Sequence, residues 1–109
     1  MTLITAALAI TLAITDAKGH PLTVGFAPLK VGTTVSVKGD VPKGELCIIS
    51  ALQGSSCMTL ETAGNPKMYR GYLLRESDEF YAAITYWDTD KSKWVTVRTA
   101  TQAIDVVPQ

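Results

Sequence analysis

The chain has 109 residues, 47% of them hydrophobic and 18% charged, and its ten Lys and Arg balance ten Asp and Glu. That length fits one domain, residues 1–109, with enough chain for a core, and the composition excludes a disordered chain. Zero net charge argues against nucleic acid or an anionic membrane surface as a partner held by charge, and it favours association between neutral proteins.

The chain opens "TLITAALAITLAITDAKG" at residues 2–19. No Lys or Arg precedes Lys18, so a secretory signal peptide is not expected, and the apolar run is too short for the ~20 residues of a membrane span. Read by parity, Ile4, Ala6, Leu8, Ile10, Leu12 and Ile14 are all apolar, whereas the odd positions are mostly small or hydroxylated. A period of two predicts a half-buried strand over 3–15. At ~3.3 Å per residue that strand is longer than a domain of this size is wide. Either it breaks near Ala6-Ala7 and changes sheets, or residues 1–7 form an arm that pairs with another subunit.

"TDAKGHP" (15–21) reads as a turn, with Gly19 at a positive φ and Pro21 ending the ladder. "LTVGF" (22–26) is a short strand, "APLKVG" a connection, and "TTVSVKG" (33–39) a strand with Val35 and Val37 inward and Thr and Ser outward. "DVPKG" turns the chain into a hairpin of "ELCIISAL" and "SCMTLET", its turn expected at Gly54-Ser55. In that register Leu52 faces Cys57 and Cys47 faces Thr62, so the two cysteines cannot bridge and are expected to be reduced, as in a cytoplasmic protein.

"AGNP" (63–66) breaks the chain, "KMYRGYLL" (67–74) is a strand with a bulge at Gly71, and "RESDE" is a solvated corner. "FYAAITYW" and "WVTVRT" form the last long hairpin around "DTDKSK", and "AIDVV" closes the chain. Placing Trp87 opposite Trp94 pairs Tyr86 with Val95, Ile84 with Val97 and Ala82 with Thr99 on a core face. The other face then carries Tyr81, Thr85, Trp87, Trp94, Thr96 and Arg98. The tryptophans serve there either as a stabilising cross-strand pair or as anchors of a partner-binding patch. No stretch has a helical period, and short strands with frequent turns predict an all-β sandwich of about seven to nine antiparallel strands.

"AITDAKGHPLTVGFAPLKVGTTVSV" resembles the opening strands of bacterial and phage immunoglobulin-like domains, and "FYAAITYWDTDKSKWVTVRTATQAIDVVP" resembles their closing hairpin. The resemblance implies an add-on module of a surface protein or of a phage tail or capsid. The Cys and Trp framework of antibody-type domains is absent. A second segment, "LKVGTTVSVKGDVPKGELCIISALQGSSCMTLE", is similar to small SH3-like barrels.

Catalytic and cofactor signatures are not found. His20 is the only histidine, so neither a zinc site nor a Cys-His nucleophile is expected. "GSSCM" is not a nucleophile elbow, and no phosphate loop is present. "DTDKSK" lacks the glycine of a calcium loop, and adjacent Asp78 and Glu79 make a poor acid-base pair. Tyr69, Arg70 and Tyr72 are the one candidate platform for stacking nucleic-acid bases.

The sequence therefore predicts a non-enzymatic assembly module without catalytic, metal or cofactor residues. Its partners are proteins, by self-association or in a capsid or tail, and neither nucleic acid nor membrane. Ile4, Leu8, Tyr81, Trp87, Trp94 and Arg98 are the candidate partner-binding residues. The most concrete role is a phage virion component made in the host cytoplasm, and the alternative is an SH3-like or OB-like binding module for a peptide or nucleic acid.

Overall fold

The computed structural model describes residues 10–22 and 28–108, the side chains of 64–66 and 70 excepted. The fold is all-β and sandwich-like, with ten strands and no helix among the described residues. In chain order they are β1 Thr11–Thr15, β2 Leu29–Lys30, β3 Thr34–Val41, β4 Gly44–Ser50, β5 Gly54–Leu60, β6 Gly64–Leu73, β7 Asp78–Asp88, β8 Lys93–Arg98, β9 Gln102–Ile104 and β10 Val106–Val107. One antiparallel sheet has the order β1-β3-β6 and the other β5-β4-β7-β8, with β9 also on β7. β2 runs parallel to β10, a pairing that the antiparallel expectation did not contain. The closing strand gains one residue on β7 between Arg98 and Gln102, which divides it into β8 and β9.

Alternation in β3, β4 and β7 turns one face of each sheet inward. Val35, Val37 and Ile14 from the first sheet meet Leu46, Ile48, Phe80, Ala82 and Ile84 from the second in one buried cluster. Each fully buried aliphatic or aromatic side chain contributes roughly 1.5–3 kcal/mol. Exposed ion pairs contribute far less, and His20–Asp16 is the one among the described residues, so apolar burial holds the sheets together.

The turn at 15–21 forms as expected. Gly19 has φ 87°, and Thr15 bridges to Pro21. The Asp16 carboxylate accepts the N–H groups of Lys18 and His20 at 2.9 Å, and the His20 N–H above all holds its pKa below the ordinary carboxylate value. Gly71 sits in a bulge, since Thr34 pairs with Leu73 but Ser36 with Arg70.

Several expectations are corrected. Ser36 and Thr15, opposite each other on β3 and β1, are both buried, so the face of this sheet away from Val35 and Val37 is covered there instead of solvated. β6 starts at Gly64, so residues 64–66 of "AGNP" belong to the strand they were expected to precede as a break. The β4–β5 turn spans residues 51–53, with Ser50 opposite Gly54, and Gly54 at φ 89° follows the turn instead of forming its centre. Cys47 thus stands opposite Cys57, and the two form a disulfide with a Cα–Cα distance of 4.0 Å. The expected reduced pair is wrong for that reason. Asp78 belongs to β7 and is buried, not part of a solvated corner. Residues 23–26 of the predicted strand over 22–26, and the segment before Ile10, including Ile4, Leu8 and the arm, lie outside the described residues.

A candidate protein-docking face

Directly opposite residues of an antiparallel pair share a face. β7 pairs with β8 as Trp87↔Trp94, Thr85↔Thr96 and Ala83↔Arg98, the expected register. It pairs with β4 as Thr85↔Glu45, Ala83↔Cys47 and Tyr81↔Ile49. The outer face therefore gathers Tyr81, Thr85, Trp87, Trp94, Thr96 and Arg98, as the sequence predicts. It also holds Glu45, Ile49 and the Cys47–Cys57 disulfide, which the sequence reading did not place there.

The geometry across this face is continuous. The Trp87 and Trp94 rings meet edge to face, with centroids 5.5 Å apart, yet they remain 48% and 66% exposed. Thr85 and Thr96 share a hydroxyl hydrogen bond of 2.8 Å. The Arg98 guanidinium lies 3.6 Å over the Tyr81 ring. Its Nε donates to the Thr99 carbonyl and its Nη2 to Thr101 Oγ1, so the cation is anchored from two sides. The strip thus offers large aromatic area beside one fixed cation, the chemistry of a protein-binding anchor. Tyr81, Trp87, Trp94 and Arg98 are brought together.

The chemistry that remains is sparse. The disulfide removes both thiols as nucleophiles. Glu45, Cys47 and Cys57 lie within 4.8 Å of one another, but disulfide sulfurs are not thiolate ligands. In the "DTDKSK" loop, Asp88 Oδ1 accepts the N–H groups of Asp90 and Lys91, so this carboxylate serves the turn. Tyr69 is buried, which pushes its phenol pKa up, and Tyr72 packs against Phe80 with ring centroids 5.8 Å apart. Of the candidate stacking platform, Tyr69 is therefore spent on the core and Tyr72 is half-buried against it, while the Arg70 side chain lies outside those described.

A polar cluster sits beneath the β4–β5 turn. The Ser50 hydroxyl donates to the buried Asp78 carboxylate, and Ser50 Oγ accepts the Gln53 N–H at 2.8 Å. Asp78 also accepts the N–H groups of Leu52 at 3.2 Å and Glu79 at 2.7 Å. These bonds set the turn that aligns the cysteines. Ser50, one residue before three loop residues, is the signal that would have located it. No helix among the described residues is long and apolar enough to cross a membrane. No family model, curated protein or solved structure matches this chain.

Proposed function

We propose that this chain is a non-enzymatic structural module that works by protein–protein assembly, most concretely as an accessory component of a phage particle, a capsid decoration or tail protein. One observation carries the assembly reading: two tryptophans, exposed by about half and two thirds, share an open sheet face with an anchored arginine stacked on Tyr81. Leaving that much aromatic surface in water opposes the apolar driving force, and a protein partner removes the penalty. The particle context rests on the resemblance to bacterial and phage immunoglobulin-like domains. Strand order supports that fold type, since β1-β3-β6 and β5-β4-β7-β8 correspond to A-B-E and C′-C-F-G of an immunoglobulin sandwich. The disulfide departs from that pattern, because it lies within one hairpin instead of between the sheets.

The test is Trp87→Ser with Trp94→Ser, read by light scattering over a concentration series. The pair's mutual contact accounts for about 0.5–1.5 kcal/mol, so the domain stays folded. Association of the wild type through this face should disappear. An unchanged mass distribution would remove the face from the assembly.

A further inference from the structure

We infer that the edge of β5 left unpaired among the described residues docks a second copy of this chain, strand to strand, with Cys57 on the two-fold axis. The inference rests on the assembly reading only in taking the partner to be a protein, and it uses none of the Trp87 face.

β5 pairs with β4 alone among the described residues. The 4.0 Å Cα separation of Cys47 and Cys57 marks a non-hydrogen-bonded pair. The N–H and C=O of Cys57 therefore point away from β4, as do those of Ser55 and Thr59, two residues to either side. Natural edges are blunted by charge, proline or a bulge. Of the other edges, β8 carries Lys93 and Arg98, β6 carries Pro66 and Lys67, and β1, which has neither charge nor proline, is half-buried or buried from Leu12 to Thr15. β5, "GSSCMTL", has no charge, no proline and no register shift, and its first six residues are exposed. The disulfide ties its middle to β4, so little order remains to be gained on docking.

The strip is complementary to itself. An antiparallel copy centred on Cys57 sets Cys57 against Cys57, Ser55 against Thr59 and Ser56 against Met58. No like charges meet, in a chain whose net charge is zero. Below the edge lies a groove of about 480 Å³ lined by Met58, Leu60, Lys67, Met68 and Tyr69. Met58 and Met68 are 42% and 45% exposed there. In the pair, each Met58 stands opposite the partner's Ser56 and diagonal to its own counterpart, at the mouth of the groove.

The experiment uses the full chain in the Trp87→Ser, Trp94→Ser background, which removes the other face. Light scattering from micromolar to millimolar should show a monomer–dimer equilibrium. Adding S55K and T59K sets Lys against Lys twice in the pair, and the dimer dissociation constant should rise about tenfold or more. Replacing that change by S55E with T59K sets Glu against Lys and should restore the dimer. A strict monomer before these changes overturns the inference, as does a dimer indifferent to S55K and T59K, or one that S55E and T59K fail to restore. Should the lysine variant not fold, amide exchange of the wild type decides. The Ser55, Cys57 and Thr59 amides are expected to be slow at high concentration and fast on dilution, and fast exchange at both would overturn the docking. A background that is already monomeric leaves the tryptophan face standing and removes only the β5 edge. A dimer there, together with a wild type that never grows beyond it, does the reverse.

Discussion

Asp78 joins two loops through one side chain. Its carboxylate receives the Ser50 hydroxyl and the Leu52 and Glu79 amides, all near the point where β4 turns into β5. A buried donor left without its acceptor costs about 1–3 kcal/mol. Asp78→Ala strands the Ser50 hydroxyl and the Glu79 N–H together, and it is expected to lower unfolding free energy by about 2–4 kcal/mol. Asp78→Asn keeps an acceptor oxygen and should lose less than half of that. Urea denaturation with an unchanged m-value checks both, and equal losses would show that the cluster does not act through these hydrogen bonds. The polar residues of this cluster were visible in the sequence, but their role was not. Asp78 lies in "RESDE", whose other charges are exposed, and only the neighbouring sheet explains why this one is buried.

The β4–β5 hairpin shows how one misplaced turn changes chemistry. A glycine followed by serine looks like the centre of a two-residue turn, whereas a three-residue loop puts its glycine after the turn, in the left-handed region that Gly54 occupies. The displacement between the two registers is odd, so every β5 side chain changes face, and a pair judged unable to bridge becomes directly opposed. The β7–β8 hairpin had no such ambiguity, because Val95 and Val97 against Ile84 fit only one register. The disulfide closes a loop across ten positions. On the chain-entropy account such a loop contributes about 2–3 kcal/mol, chiefly by limiting the unfolded chain. Cys47→Ser with Cys57→Ser, or reduction of the wild type, should lower stability by about that amount and speed amide exchange along β5 more than along β7. Equal acceleration in both strands would mean that the bond does not act locally on the edge.

At the scale of the whole molecule, the alternation of β3, β7 and β8 was enough to anticipate two packed layers with Val35, Val37, Ile84 and Val97 facing in. What alternation alone does not contain is the distance between layers, and Gly71 sets it locally. A Cβ on Gly71 would run into the Val35 carbonyl oxygen of its own sheet and come within 2.9 Å of Ile48 Cδ1 in the other. Two constraints from different layers meet at one hydrogen atom, and the bulge in β6 places it there. Gly54 is the natural contrast, since it has a positive φ but nothing within 4 Å of an added Cβ. Gly54→Ala therefore incurs only backbone strain, about 1–2 kcal/mol. Gly71→Ala overpacks both sheets, at about 1–3 kcal/mol or more, because a backbone carbonyl cannot rotate aside as a side chain can. At about 4–8 °C per kcal/mol, Gly71→Ala should lower the melting temperature by about 10 °C or more, and Gly54→Ala by roughly half as much. Ile48→Val removes the Cδ1 methyl but leaves the Val35 carbonyl in place, so it should rescue Gly71→Ala only in part. Full rescue in a thermal scan of the double variant would assign the clash to the second sheet alone, and no rescue would assign it to the bulge.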